Sequence, residues 1–118
     1  RKQGNGHIVG LSSVAGERGM PGIAVYCASK SAVTTYLKAL QVESYRENID
    51  VTILAPGYID TPINQAAKSR PFVIPLQQGA VELVDKIEGK VSFSFVPSWP
   101  WAIVARVMRY LPNRVFAK

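Results

Sequence analysis

The sequence predicts an α/β fold built on a parallel sheet. Three observations carry this: an apolar run at residues 7 to 13 (HIVGLSS), a second, β-branched run at residues 49 to 55 (IDVTILA), and a helical pattern from about Ile23 to Arg46 between them. Strands that are apolar on both faces belong in a sheet covered on both sides, and a helix of this length is the crossover that a parallel pair needs. With 118 residues, 47% hydrophobic and 19% charged, the chain has the composition of an ordinary globular protein and can form one small domain with a core.

Gly4-Asn5-Gly6 is a turn before the first strand, which ends at Ser12 and Ser13. The glycine-bearing loop Ala15 to Gly22 (AGERGMPG) leads into the helix, where Val25, Ala28, Ala32, Val33, Tyr36, Leu37 and Leu40 recur at three- and four-residue steps, and Asn48 marks its end. Pro56-Gly57 stops the second strand. Residues 58 to 75 hold three prolines and little periodicity, and read as a loop or a short helical lid. Leu76 to Lys86 is helical and Gly89 ends it. VSFSFV at residues 91 to 96 alternates as a third strand at a sheet edge, where Pro97 is tolerated. A last helix, about Trp99 to Leu111, closes at Pro112.

The formal charge is +6, from 14 Lys and Arg against 8 Asp and Glu. The excess would favour an anionic partner such as a phosphate-bearing cofactor, nucleic acid or a membrane surface, but the bases are spread out, with no consecutive run and no aromatic interleaving, so no nucleic-acid partner is expected. One cysteine, Cys27, excludes an intramolecular disulfide and favours an intracellular, cytoplasmic setting. Cys27 reads as a small packed helix residue and His7, the sole histidine, as a strand-edge residue; with no Cys/His pair at ligand spacing, no metal is expected. No signal segment opens the chain at RKQGNG, and no apolar run approaches the ~18 residues that cross a bilayer. The expectation is a soluble protein.

Tyr26 and Lys30, in AVYCASKSAV, are four apart and share one helix face, one turn from each other. Chance alone gives such a pair in roughly one chain in three of this composition, so its surroundings decide its meaning. Ser12 and Ser13 end the first strand, Tyr26 and Lys30 lie in the first turns of the next helix, and Pro56-Gly57 follows the second strand. A parallel sheet brings all of these to one edge, where such sheets bind ligands.

The order GHIVGLSSVAG, then YCASK, then APGYIDT over residues 6 to about 62 resembles the second half of short-chain dehydrogenases/reductases. The resemblance implies a doubly wound, Rossmann-like sheet, of which residues 1 to 118 would be the C-terminal portion lacking the N-terminal dinucleotide-binding half. It would comprise a catalytic part (6 to 62), a substrate loop (62 to 75) and a C-terminal strand and helix (90 to 118). It implies hydride transfer between NADP(H) or NAD(H), with a lean to NADP(H), and a carbonyl/alcohol pair. Ser13 would polarise the substrate oxygen, Tyr26 would give or take the proton, and Lys30 would hold the nicotinamide ribose and favour phenolate. A free phenol, titrating near ~10, is a poor base at neutral pH, and a neighbouring cation favours its ionised form. Pro56, Gly57, Ile59 and Thr61 would lie along the nicotinamide, with Gly57 admitting close backbone approach. A homodimer or tetramer, pairing through the Tyr-Lys helix, would follow.

Two family features have no counterpart: the T-G-x-x-x-G-x-G phosphate loop and the N-N-A-G segment with its catalytic Asn. A chain starting at a central strand is expected to leave a sheet edge and apolar surface uncovered and to be marginally stable alone. The tail is also unusual, with Ile103, Val104, Val107, Met108 and Leu111 expected on one side of the last helix and Arg106 and Arg109 near the other. It reads as packing on the core or on a dimer partner, or as a basic amphipathic helix docking at a membrane surface. The rival to the enzyme is an inactive truncated fragment or a membrane-surface or partner-binding module.

Overall fold

The computed structural model describes residues 1–117. Its elements are β1 (Gly6–Leu11), a 3-10 turn (Val14–Glu17), α1 (Ala24–Glu43), β2 (Ile49–Pro56), a 3-10 turn (Pro62–Asn64), α2 (Leu76–Glu88), β3 (Phe93–Val96), α3 (Ser98–Tyr110) and a last 3-10 turn (Asn113–Val115). The three strands are parallel in the order β1-β2-β3. The α/β class and every main element expected from the sequence are present.

β2 organises the core because its residues alternate between two covered faces. Val51 and Ile53 meet Leu37 and Leu40 of α1, and Ala55 joins Phe95 of β3 with Trp101 and Ala105 of α3. Between them Thr52 and Leu54 are 0% exposed. α1 lies directly on β1: a Cβ on Gly10 would stand 2.0 Å from Leu37 Cδ1. Gln41 of α1 ties the two neighbouring strands together, its Nε2 donating to the carbonyls of Val51 and Ser92 at 2.9 and 2.7 Å. His7 hydrogen-bonds Thr52 across the β1-β2 pair, Nε2 to Oγ1 at 2.8 Å, which gives the histidine a structural partner. Cys27 is buried, as its reading as a packed helix residue requires.

Boundaries differ in informative ways. β1 stops at Leu11, so both serines leave the strand. α1 ends at Glu43, and residues 44 to 48 turn toward β2. α3 has an extended residue, Trp99, ahead of Pro100, which disfavours helical geometry before it, so its regular part starts later. The expected sides of α3 are rearranged: Trp101 and Ala105 are buried with Val104 and Met108 beside them, whereas Ile103 and Val107 face outward. The helix turns Trp101 inward because Ala55 and Phe95 offer it an apolar seat.

At the opposite end of the sheet from the serines, Lys90 donates to Asp50, Nζ to Oδ2 at 2.7 Å. That hydrogen bond holds the Asp50 carboxyl below its usual value. Its contribution to stability is therefore present above the usual carboxylate range and lost as pH falls through the lowered value. β1 pairs only with β2 among the described residues, and Ile8, Val9 and Leu11 on it are exposed.

Candidate active site

The register Leu11↔Leu54 and Leu54↔Ser94 brings the C-terminal ends of all three strands to one edge. Ser12 fastens this edge to α1: its N–H donates to Leu54 O at 2.7 Å, its Oγ donates to Lys30 O at 3.0 Å, and Oγ also bonds Thr34 Oγ1 at 2.6 Å. Ser13 caps the 3-10 turn that follows, its Oγ accepting from the Ala15 N–H at 3.1 Å. That bond uses an oxygen lone pair and leaves the hydroxyl hydrogen available to donate.

The turn packs on α1, and Gly16 is where the two backbones come close. A Cβ on Gly16 would come within 3.0 Å of Lys30 C and 3.2 Å of Ser31 N, both backbone atoms that cannot swing aside. Gly22, at φ +80, allows the chain to enter α1, where Tyr26 is the third residue and Lys30 the seventh. Lys30 Nζ stands 5.8 Å from the Tyr26 ring centroid and donates to Leu11 O at 3.3 Å. The ammonium thus bridges the end of β1 and the face of the phenol, and the phenol is about half exposed, at 47%.

Past β2, the Gly57 N–H donates to Val96 O at 2.8 Å. The space beside Gly57 is filled by the Trp101 indole, whose Nε1 would be 2.2 Å from a Cβ there. The close approach expected at this glycine is therefore made by a side chain of the protein itself. Ile59 bridges to Ile74 and rests on Gly79, and its carbonyl accepts from Asn64 Nδ2 at 2.7 Å. Thr61 begins the 3-10 turn at Pro62–Asn64 without spending its hydroxyl on a cap. The lid is thus ordered, and Arg70 pins it further by donating to Asp60 Oδ1 at 2.6 Å. Trp101 Nε1 is the buried side-chain polar atom left without a partner among the described residues. An orphaned donor beside Gly57, at the same edge as Tyr26 and Lys30, fits a polar ligand lying along the strand ends.

The family model described as short chain dehydrogenase matches residues 1–71. The chain belongs to the short-chain dehydrogenase family. An uncharacterized oxidoreductase of Mycobacterium tuberculosis is 38% identical over 115 residues, covering 97% of this chain and 46% of that protein. The fold of a short chain dehydrogenase from Burkholderia cenocepacia, solved with NADP, superposes with a TM-score of 0.80 at 19% identity, over 99% of this chain and 51% of that one. A 4-hydroxyisoleucine dehydrogenase complexed with NADH and succinate gives a TM-score of 0.55 at 27% identity, over 77% of this chain and 42% of that one. The chain thus spans about half the length of the relatives it matches.

For this short-chain dehydrogenase chain the sequence pointed to Ser13, Tyr26, Lys30 and the 56-to-61 segment but not to their supports. Nothing in the sequence singles out Trp101 within the last helix or Phe72 within residues 58 to 75. Phe72 holds a left-handed φ of +57 and packs edge-on against Trp101, with ring centroids 5.3 Å apart. Such backbone geometry is unfavourable for a bulky residue, and the edge-on contact with Trp101 is a favourable interaction that opposes the cost. Glu17 and Arg18 lie in a stretch read only as a glycine-bearing loop.

The Gly16 contact yields a direct test. Gly16→Val places a branched side chain against the α1 backbone and is expected to destabilise the complete protein by about 1–3 kcal/mol. A lower urea midpoint at unchanged slope is the expected result, and an unchanged midpoint would contradict the close approach.

Proposed function

We propose that the chain is the catalytic half of an NADP(H)- or NAD(H)-dependent oxidoreductase that interconverts a carbonyl and an alcohol. The observation that carries this is the sharing of the Lys30 ammonium between Leu11 O and the Tyr26 ring. In the reducing direction, the Ser13 hydroxyl donates to the substrate oxygen and fixes it beside Tyr26. Tyr26 donates its phenolic proton to that oxygen as the alcohol forms, and the Lys30 charge stabilises the phenolate left behind. Solvent then returns the proton to Tyr26. Lys30 would hold the nicotinamide ribose, and Thr61 with the backbone of Pro56, Gly57 and Ile59 would hold the carboxamide. When bound, the nicotinamide supplies or accepts the hydride.

The exposed Ile8, Val9 and Leu11 on the free edge of β1, together with the half-length match to relatives, support a larger Rossmann-like domain. The rest of its sheet would pair along that edge and carry the phosphate loop. Val25 and Tyr36, exposed on α1 at 85% and 66%, support pairing of two copies through that helix.

Tyr26→Phe in the complete protein tests the reading. Reduction of ketones and β-keto esters, followed by NADPH and NADH oxidation, is expected to fall by at least about 10²-fold. Cofactor affinity, followed by nicotinamide fluorescence, should stay within about twofold because the ring remains in place. Undiminished turnover would sink the assignment.

A second reading concerns the tail. Trp99, Ile103, Val107 and Tyr110 form an exposed stripe on α3, and no acidic residue follows Glu88. No described helix is long and apolar enough to cross a membrane. An apolar stripe with a basic flank fits the surface of an anionic bilayer. The complete protein is expected to co-sediment with phosphatidylglycerol vesicles, less with phosphatidylcholine, and with neither after Trp99→Ala plus Ile103→Ser. Equal binding by that variant would rule out the stripe as the contact.

A further inference from the structure

The turn that carries Ser13 is fastened to the far end of the chain. Arg18 Nη1 donates to Met108 O at 2.9 Å and to Leu111 O at 2.5 Å, and Nη2 donates to Asn113 Oδ1 at 2.6 Å. Its guanidinium carbon lies 4.3 Å over the Phe116 ring centroid. Next to it, Glu17 pairs with Arg109 at 3.2 Å, and the Glu17 side chain is only 9% exposed. Beneath both, Val14 shares a core cluster with Trp101 and Ala105. α3 therefore contacts Val14, Glu17 and Arg18 from Trp101 to its C-terminal end.

Physical chemistry explains why an arginine does this. The last carbonyls of a helix have no donors within the helix, and Leu111 is extended with Pro112 after it, so no backbone N–H folds back to cap them. A guanidinium offers several donors in a rigid fork and carries the positive charge that a helix C-terminus favours. The Glu17 carboxylate, withdrawn from water, depends on Arg109 more than a surface pair would.

We propose that the end of α3 and the turn after it form a strut that sets the position of the Ser13 turn, with Arg18 and Glu17 as positioning residues. Ser13 is the cap of a turn that ends at Glu17, so fixing residues 17 and 18 fixes where the Ser13 hydroxyl sits relative to Tyr26. The other side of the turn is held by Gly16 against α1. The strut lies beyond residue 71, where the match to the family model ends, so this tail is part of the site's support rather than an appendage.

The strut itself is read without turnover. The kinetic consequence rests on the carbonyl-reduction reading. Hydrogen exchange by mass spectrometry is measured on the complete protein and on Arg18→Ala, Glu17→Arg, Arg109→Glu and the Glu17→Arg/Arg109→Glu double variant. In the single variants, amides 14 to 20 should exchange at least about tenfold faster while α1 and β2 peptides are unchanged, and the double variant should recover to within about threefold of the parent. For the most reactive carbonyl found, kcat should fall about tenfold or more, with KM and NADPH affinity changed less than threefold, and the double variant should regain it. Unchanged exchange at 14 to 20 in the folded single variants, or a double variant no better than either single, overturns the strut. If Arg18→Ala fails to fold, the Glu17/Arg109 exchange decides alone. If no carbonyl is turned over, the exchange result still stands and only the reaction reading fails.

Discussion

The contact on which the site depends is the approach of the Ser13 turn to the backbone of α1 at Gly16. The turn and the helix carry the two halves of the proposed proton-transfer chemistry, and they meet through atoms with no side-chain freedom, within 3.0 to 3.2 Å of where a Cβ would stand. A glycine there lets the turn capped by Ser13 lie on the helix that carries Tyr26, thirteen residues further along the chain. Ser12 reinforces it by donating from the strand end to the Lys30 carbonyl, the backbone position that Gly16 touches. Proximity of this kind, held by backbone, supplies orientation without a further entropy cost during reaction.

The parallel sheet does the rest of the positioning. Because β1, β2 and β3 run the same way, every loop that follows a strand emerges on one side, and Lys30 can reach back to Leu11 O while Gly57 reaches across to Val96 O. The Lys30 ammonium is the central charge of this edge. The Trp101 indole, inserted beside Gly57 and edge-on to Phe72, joins the lid, the tail and the Pro-Gly turn into one packed unit. Loops on such a frame can vary in sequence while the reacting groups keep their places.

Much of this was legible in the residues. IDVTILA is rich in β-branched residues and nearly continuously apolar after Asp50, and a strand with both faces covered is what it became. The Tyr26-Lys30 spacing placed both groups on one helical face. What local patterns could not show were contacts made across the whole chain. Arg18 meets acceptors 90 to 95 residues away, and nothing in AGERGMPG marks it as a helix cap. The tail helix misled because its apolar residues cover two directions, and only the pocket offered by Ala55 and Phe95 decides that Trp101 and Ala105 turn inward while Ile103 and Val107 remain outside. The role of Gly57 was ambiguous for the same reason: a turn, a ligand cradle and a seat for an indole all ask for glycine.

The most direct measurement of whether Ser13 and Tyr26 act as one unit is the kcat/KM of Ser13→Ala, Tyr26→Phe and the double variant in the complete protein. If one hydroxyl holds the oxygen that the other protonates, the double variant should be about as slow as the worse single, far from the product of the two losses. Losses that multiply in full would mean that the two groups work independently, and the shared site described here would be wrong.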